Sequence, residues 1–394
     1  MKSRGTIVIA AGGTGGHFFP AEALAEELAA RGWTLALMTD QRAGQRSSGI
    51  FSHGQQFVLP GAGVAGRGPV RALRGGLALS SGAWQALRLI RHIRPVAVAG
   101  FGGYPSVAPV LGAAFTGKNR PSVILHEGNA VPGKANGFLA RYADGIATSF
   151  ADVKGLPSKA RIRITGMPVR PAIAQLTGKP YIPPTDTIRL LVWGGSLGAR
   201  VFSNVVPAAV TALPETLRAR LEITQQVRAE DLDRVRSAWA GAGITARVET
   251  FFSDVAEQLS RAHLVIGRAG GSSVAEICVA GRPSVLVPLP SAANDEQTAN
   301  AQALVREGAA LMVPQKDFTA ASLTSTLSAL LTDTDGLTTA ASAAAALGLP
   351  HAASALADLV EECLPSWYSA AYSGFSFSEP PEGSPRIKQP EQHP

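Results

Sequence analysis

The chain has 394 residues, 46% of them hydrophobic and 16% charged, with a formal net charge of +7. That length exceeds one ordinary core and suits two domains of roughly 150 to 200 residues, and the hydrophobic content excludes disorder over most of the chain. The positive excess favours a polyanionic partner (nucleic acid, an anionic membrane face or a phosphorylated substrate), while two cysteines, Cys278 and Cys363, offer neither a metal spacing nor a disulfide framework, so a reducing cytoplasm is expected.

The amino terminus, MKSRGTIVIAAGG, imitates a signal peptide briefly, but its apolar run stops at Gly12-Gly13 and reads as a first strand, Thr6 to Ala11. AGGTGGHFFP (11–20) and the amphipathic AEALAEELAARG follow. Strand, glycine turn and helix N-terminus make a phosphate cradle, because unpaired N–H groups and the positive dipole end face outward there. The next strand, Leu35 to Thr39, is closed by Asp40. A dinucleotide fingerprint fails, since Phe18 stands where the third glycine belongs, and no GK[ST] follows to make a P-loop.

Residues 67 to 94 carry arginines, including Arg71, Arg74, Arg88 and Arg91, and no acidic residue, interleaved with large apolar side chains such as Leu79, Trp84 and Ile90. Two readings stand: a peripheral membrane surface, or a helix packing its apolar face on a sheet with arginines in water. Residues 95 to 117 are uncharged, yet Gly100, Gly102, Gly103, Pro105 and Pro109 would break a membrane helix. A buried strand, Val96 to Gly100, a glycine turn and a short helix are predicted instead. Strands at Ser122 to Leu125 and Gly145 to Ala147 complete this half. HEGNAVPGKAN (126–136) sets His126, Glu127 and Asn129 directly after the apolar SVIL, an expensive place for polar groups unless they are satisfied or used. A catalytic or binding loop at a strand end is the inference.

After the Pro-rich 170–186 the strand rhythm restarts at Ile188 to Trp193, Leu221 to Thr224, Arg247 to Glu249, Leu264 to Ile266 and Ser284 to Val287. The restart marks a domain boundary, and the alternation predicts α/β parallel sheets. TIVIAAGGTGGH is echoed by IRLLVWGGSLGAR, and VAVAGFGGYPSVAP by LVIGRAGGSSVAE. Each half therefore has two glycine turns at the carboxyl ends of strands, where parallel sheets bind ligands, and two such domains facing each other enclose a cleft. In the second half the turns bring hydroxyls to helix N-termini, and Glu276 is placed either to accept ribose hydroxyls or to complete a capping box. Asp231-Leu-Asp233 and Asp333-Thr-Asp335 match a metal-binding DxD pattern, but neither follows a strand, and the first pair reads as a solvated helix face. No metal and no cofactor are expected, so a leaving diphosphate falls to helix N-termini, hydroxyls and arginine. The Ala/Ser/Thr-rich 319–346 and His351 to Cys363 read as helices, and from Pro365 the chain loses periodicity and reads as a disordered tail, 365–394.

Over residues 6 to 363 the chain resembles the MurG family, the bacterial transferases that add N-acetylglucosamine to lipid I to make lipid II in peptidoglycan synthesis. The resemblance is carried, in order, by GGTGGH (12–17), GFGGYPS (100–106), HEGNAVPGKAN (126–136), TGMPVR (165–170), GGSLGAR (194–200) and Arg268 to Glu276. It implies the GT-B architecture: an acceptor- and membrane-binding domain, 1–170, with a last helix, 351–364, packing back on it, and a UDP-N-acetylglucosamine-binding domain, 171–350.

By that resemblance Gly13 and His17, with Gly102, Gly103, Tyr104 and Ser106, hold the acceptor diphosphate, and Thr14, Gly15 and Gly16 border the donor sugar. Asn129 and Gln297 contact that sugar, Arg170 and Ser196 the UDP portion, and Ser253 lies near the uracil. Arg268 and the run Gly271, Ser272, Ser273, Val274, Ala275 and Glu276 surround the diphosphate and ribose. His17 is the implied general base, since an imidazole can take a proton near neutrality, with His126 and Glu127 as rivals. The implied reaction inverts the anomeric carbon to give a β-1,4 link, and the implied partners are undecaprenyl-linked lipid I, an anionic membrane surface through 67–94 on the cytoplasmic face of the inner membrane, and other cell-wall synthesis proteins, with no nucleic acid. Gly128, Met167 and Leu197 depart from the family's usual glutamine, asparagine and glutamine, and Ala293-Asn294-Asp295-Glu296 lacks a histidine often found before Gln297. The alternatives are a GT-B enzyme with another lipid or glycoside acceptor, or a non-enzymatic polyanion binder, against which the low aromatic content (6%) speaks.

Overall fold

The structure, a computed structural model, describes residues 4–12, 15–41, 44, 49–52, 54–60, 69–157, 160–195 and 198–368, without the side chains of 69–75 and 77. Two all-parallel sheets organise it. The first contains β1 (Thr6–Ala10), β2 (Thr34–Asp40), β3 (Gln55–Leu59), β4 (Ala97–Gly100), β5 (Ser122–Glu127), β6 (Gly145–Thr148) and β7 (Arg161–Ile164), in the order β3-β2-β1-β4-β5-β6-β7. The second contains β8 (Ile188–Trp193), β9 (Leu221–Gln226), β10 (Thr245–Glu249), β11 (Leu264–Gly267), β12 (Ser284–Leu286) and β13 (Ala310–Met312), in the order β10-β9-β8-β11-β12-β13. In both, strand order reverses at the sheet centre, between β1 and β4 and between β8 and β11. The four glycine turns read from sequence leave those four strands, at the point where open α/β sheets form their crevice.

The strands read as continuous apolar runs because helices cover both faces of each sheet. Along β1, Ile7 and Ile9 pack with Leu24 and Leu28 on one side, while Val8 and Ala10 pack with Ala86, Ile90 and Val110 on the other. The first side is completed by the helix Ala352–Glu362, which returns from the second sheet and buries Leu356, Leu359 and Val360 there. At about 1.5–3 kcal/mol for each fully buried aliphatic side chain, those contacts fix it to the first domain. Arg31 secures it further through Asp358 (2.6 Å) and Glu361 (3.0 Å).

The tail expected to be disordered from 365 begins ordered. Trp367 donates to the Arg120 carbonyl at 3.1 Å, and Tyr368, buried against Trp33, donates to the Arg4 carbonyl at 2.7 Å. Two large aromatic rings supply a burial that lost periodicity does not reveal. Residues 369–394 lie outside the described residues. The region 67–94 contains the helix Pro69–Ile93, whose Ala86 and Ile90 are buried on the sheet while Trp84 is 60% exposed. The packed-helix reading holds for one face and leaves the other free.

Candidate active site

The crevices of the two sheets meet in one cleft of about 560 Å³. Gly16, His17, Phe101 and His126 line it from the first domain, with Gly128, Asn129 and Met167. Gly194, Gly195, Arg200, Arg228 and Arg268 line it from the second, with Gly270 to Ser273, Glu296, Gln297 and Gln315.

His17 stands in the first turn of the helix Gly15–Ala30. Burial lowers the pKa of its imidazole, against an opposing hydrogen bond to the Phe101 backbone, so the ring is neutral at neutral pH and able to accept a proton. The turn after β4 lies against it: Gly102 (φ 81°) and Gly103 (φ 65°) take left-handed conformations, and a Cβ on Gly103 would lie 3.7 Å from the His17 ring. His126, at the end of β5, is held by the Gly166 carbonyl at 3.1 Å from Nε2. Burial drives it down to about 4, the Gly166 hydrogen bond opposes that shift, and the neighbouring His17 lowers it further. A charge on His17 thus disfavours one on His126.

Glu127 does not line the cleft. Its carboxylate accepts from the backbone N–H of Asn129 (3.0 Å) and Gly133 (3.0 Å) and from Asn136 Nδ2 (2.9 Å); burial raises its pKa against those bonds. It shapes the loop that carries Asn129, and this replaces the expectation of a rival base. Ser106 is likewise committed: fully buried, its hydroxyl shares its one proton between the Ala10 (3.0 Å) and Gly102 (2.9 Å) carbonyls, so it braces the turn after β4. Tyr104 does not line the cleft either.

On the opposite side the helix Gly271–Val279 points its N-terminus into the cleft with Ser272 and Ser273 in its first turn. Arg268 is anchored to the carbonyls of Val287 (2.9 Å) and Pro288 (3.2 Å) and to Gln315 Oε1 (2.7 Å). Burial, with the Arg228 charge, lowers it to about 10, which leaves it cationic. Gln297 is oriented by the Leu289 N–H at 3.0 Å. Arg170 and Glu276 clasp each other in a bidentate ion pair of 2.9 and 2.8 Å and do not line the cleft, and Val274 and Ala275 face a second cavity. Ser253 is exposed outside the cleft. Gly13, Thr14, Ser196 and Leu197 lie outside the described residues.

One aspartate of each DxD pair is engaged elsewhere, while Asp233 is exposed, as a solvated helix face requires. Asp333 caps a helix by accepting the Gly336 N–H at 2.8 Å. Asp231 is buried, not on a solvated face as expected, and pairs with Arg234 at 2.8 Å; its placement beneath Arg200 (3.7 Å) is a tertiary contact that a helical pattern cannot encode.

Sequence reasoning missed Asn300. Fully buried, it accepts the Ala130 N–H at 2.8 Å and donates to Asn129 Oδ1 and the Ala269 carbonyl, both at 2.9 Å, fastening the Asn129 loop to the other domain. Its helix, EQTANAQALVR, is polar over most of its length, so one more asparagine gave no signal. Glu296, which lines the cleft with its pKa raised by burial and by Glu127, was also missed.

Paired parallel-sheet domains, with imidazoles on one lip and a cationic helix N-terminus on the other, define a GT-B glycosyltransferase. The profiles of the glycosyltransferase family 28 N-terminal and C-terminal domains match residues 7–148 and 189–361. The chain is 55% identical to the UDP-N-acetylglucosamine--N-acetylmuramyl-(pentapeptide) pyrophosphoryl-undecaprenol N-acetylglucosamine transferase of Gluconobacter oxydans over 91% of its length and 99% of the relative's. To the protein of that name from Granulibacter bethesdensis it is 52% identical, over 91% and 94%. The crystal structure of Acinetobacter baumannii MurG superposes with a TM-score of 0.72 at 28% identity, covering 91% of this chain and 99% of that one. The chain belongs to this transferase family within glycosyltransferase family 28, which sets aside the non-enzymatic polyanion binder.

Proposed function

We propose that this enzyme moves N-acetylglucosamine from UDP-N-acetylglucosamine to the C4 hydroxyl of the N-acetylmuramyl unit of undecaprenyl-pyrophosphoryl-N-acetylmuramyl-pentapeptide, converting lipid I to lipid II. The observation that carries this reading is that His17 and the Gly271–Ser273 helix N-terminus line one cleft. Neutral His17 takes the hydroxyl proton as the oxygen attacks the anomeric carbon from the face opposite UDP. The bond from that carbon to the diphosphate breaks and its configuration inverts. The leaving diphosphate is stabilised by the N–H groups of Gly271 to Ser273, the serine hydroxyls and Arg268. Asn129 and Gln297 serve the donor sugar. Arg170 acts through its ion pair with Glu276, which braces the helix that presents Ser272 and Ser273.

We also place the enzyme peripherally on the cytoplasmic face of the membrane, with the first domain on the acceptor side. Trp84 (60%), Phe115 (61%) and Phe138 (43%) are exposed large apolar residues of that domain. Arg88 lies over Trp84 at 4.7 Å and Arg141 over Phe138 at 4.9 Å; Phe115 and Phe138 share Tyr142 as a neighbour. Apolar rings fringed by arginine suit an anionic lipid surface. The decisive experiment is UDP release from UDP-N-acetylglucosamine with and without a lipid I analogue. Release is expected only with the acceptor and is expected to persist in EDTA; no release with acceptor present would sink the reading.

A further inference from the structure

Two positions that depart from the usual family pattern meet in space. A Cβ on Gly128 would lie 2.4 Å from Met167 Cε, closer than packed atoms tolerate, and in ordinary contact with its Sδ at 3.5 Å. The Met167 side chain therefore fills the volume that any side chain at 128 would claim. Met167 is only 5% exposed, yet it lines both the catalytic cleft and a second cavity of about 410 Å³. That cavity lies between the domains, walled by Phe150 and Ile164 on one side and Val274, Cys278 and Leu304 on the other. The second shared wall residue, Gly271, leaves no gap: a Cβ there would lie 2.1 Å from the Gly128 carbonyl oxygen. The wall is thus two glycine backbones in contact and one thioether side chain.

We propose that Met167, seated in the space left by Gly128, is a positioning residue that partitions the catalytic cleft from the interdomain cavity behind it and so commits the donor sugar to its acceptor rather than to water. The proposal rests on the transferase reading. Bound donor and acceptor cover the front of the cleft; the back wall is left to the protein. Water entering there would stand in for the acceptor hydroxyl: its oxygen bonds to the anomeric carbon, the carbon–oxygen bond to UDP breaks, and the proton goes to His17, giving free N-acetylglucosamine and UDP. A flexible thioether fills an irregular gap and offers no N–H or O–H to order water in it.

The test uses full-length wild type, M167A, M167L, G128Q and G128Q/M167N. UDP release is followed with and without a lipid I analogue, transferred sugar is quantified, and melting temperature is recorded. In M167A, acceptor-independent UDP release should rise about tenfold while KM for UDP-N-acetylglucosamine moves less than about twofold. M167L should bring UDP release per sugar transferred back toward the wild-type ratio. G128Q alone should lower the melting temperature by overpacking, and M167N in the same chain should recover it, a non-additive pair. Transfer by M167A with release still dependent on acceptor overturns the partition, as do additive melting shifts at 128 and 167. Absence of transfer by the wild type instead strikes the transferase reading, and the melting cycle then still judges the pair.

Discussion

The two domains share a topology and divide the chemistry. Each has a glycine turn after its first strand and another after its fourth or equivalent strand, but the first domain brings buried imidazoles to the cleft and the second brings arginines and a helix N-terminus. Low-dielectric surroundings keep His17 and His126 uncharged, as proton acceptance requires. The second domain leaves Arg200 and Arg228 more than 40% exposed, beside Glu230 at 2.7 and 3.9 Å, where a cation costs little to keep. One scaffold thus gives a lip of buried, neutral imidazoles and a lip of cations, and the difference lies in side chains and burial rather than in backbone.

The largest expected effect breaks this division at its first-domain end. His17→Ala should lower kcat by about 10²–10⁴-fold, the usual span for a lost general base, with KM for UDP-N-acetylglucosamine nearly unchanged in steady-state assays. An unaltered kcat would move the base elsewhere. Acid should next erode stability in both domains, through His126 in the first and through His263, which burial likewise holds down at about 4, in the second. His126 sits at about 4 in the folded protein against an ordinary 6.5, so its full contribution is present above 6.5. As pH falls from there toward 4 the unfolded chain binds the proton first, and on the order of 3 kcal/mol is lost through this group. Urea midpoints at pH 7.5 and 4.5 should show that drop, and His126→Asn should flatten it.

Asn300→Ala removes the fastening between the lips. With each neutral hydrogen bond contributing about 0.5–1.5 kcal/mol, kcat/KM should fall on the order of tenfold while UDP affinity, by calorimetry, changes little. Equal losses in both would mean that Asn300 serves the donor site alone. The smallest effect concerns the membrane face: at about 1 kcal/mol per basic residue near an anionic surface, Arg88→Glu should weaken co-sedimentation with anionic vesicles several-fold and leave turnover of a soluble acceptor intact. Undiminished binding would return this helix to a purely packed role.

Much of the fold was legible because buried parallel strands announce themselves as apolar runs. β3, β7 and β13 were not, and all three are sheet edges: β7 (RIRI) is largely exposed and β13 has three residues, so neither writes a continuous run. At the site, the strand-end position of His17, His126 and Asn129 was readable, since polar groups after an apolar run are conspicuous. The commitments of Glu127, Ser106 and Asp231 were not, because each is fixed in part by a partner distant in sequence, such as Arg200 for Asp231, or by a backbone group that only the folded loop presents. Gly128 and Met167 looked like two independent departures; they meet in space, the Met167 methyl lying where a Cβ at 128 would stand.

The helix Ala352–Glu362 has a mechanical consequence. Because the chain passes from the first sheet to the second between Ile164 and Ile188 and comes back before Ala352, the lobes are joined by two covalent straps. A pair of straps permits rocking about the line between them and resists sliding or twisting apart. Any opening that admits the bulky lipid substrate is thereby channelled into one swing, and a single protease cut in either strap would free the swing's direction without separating the halves.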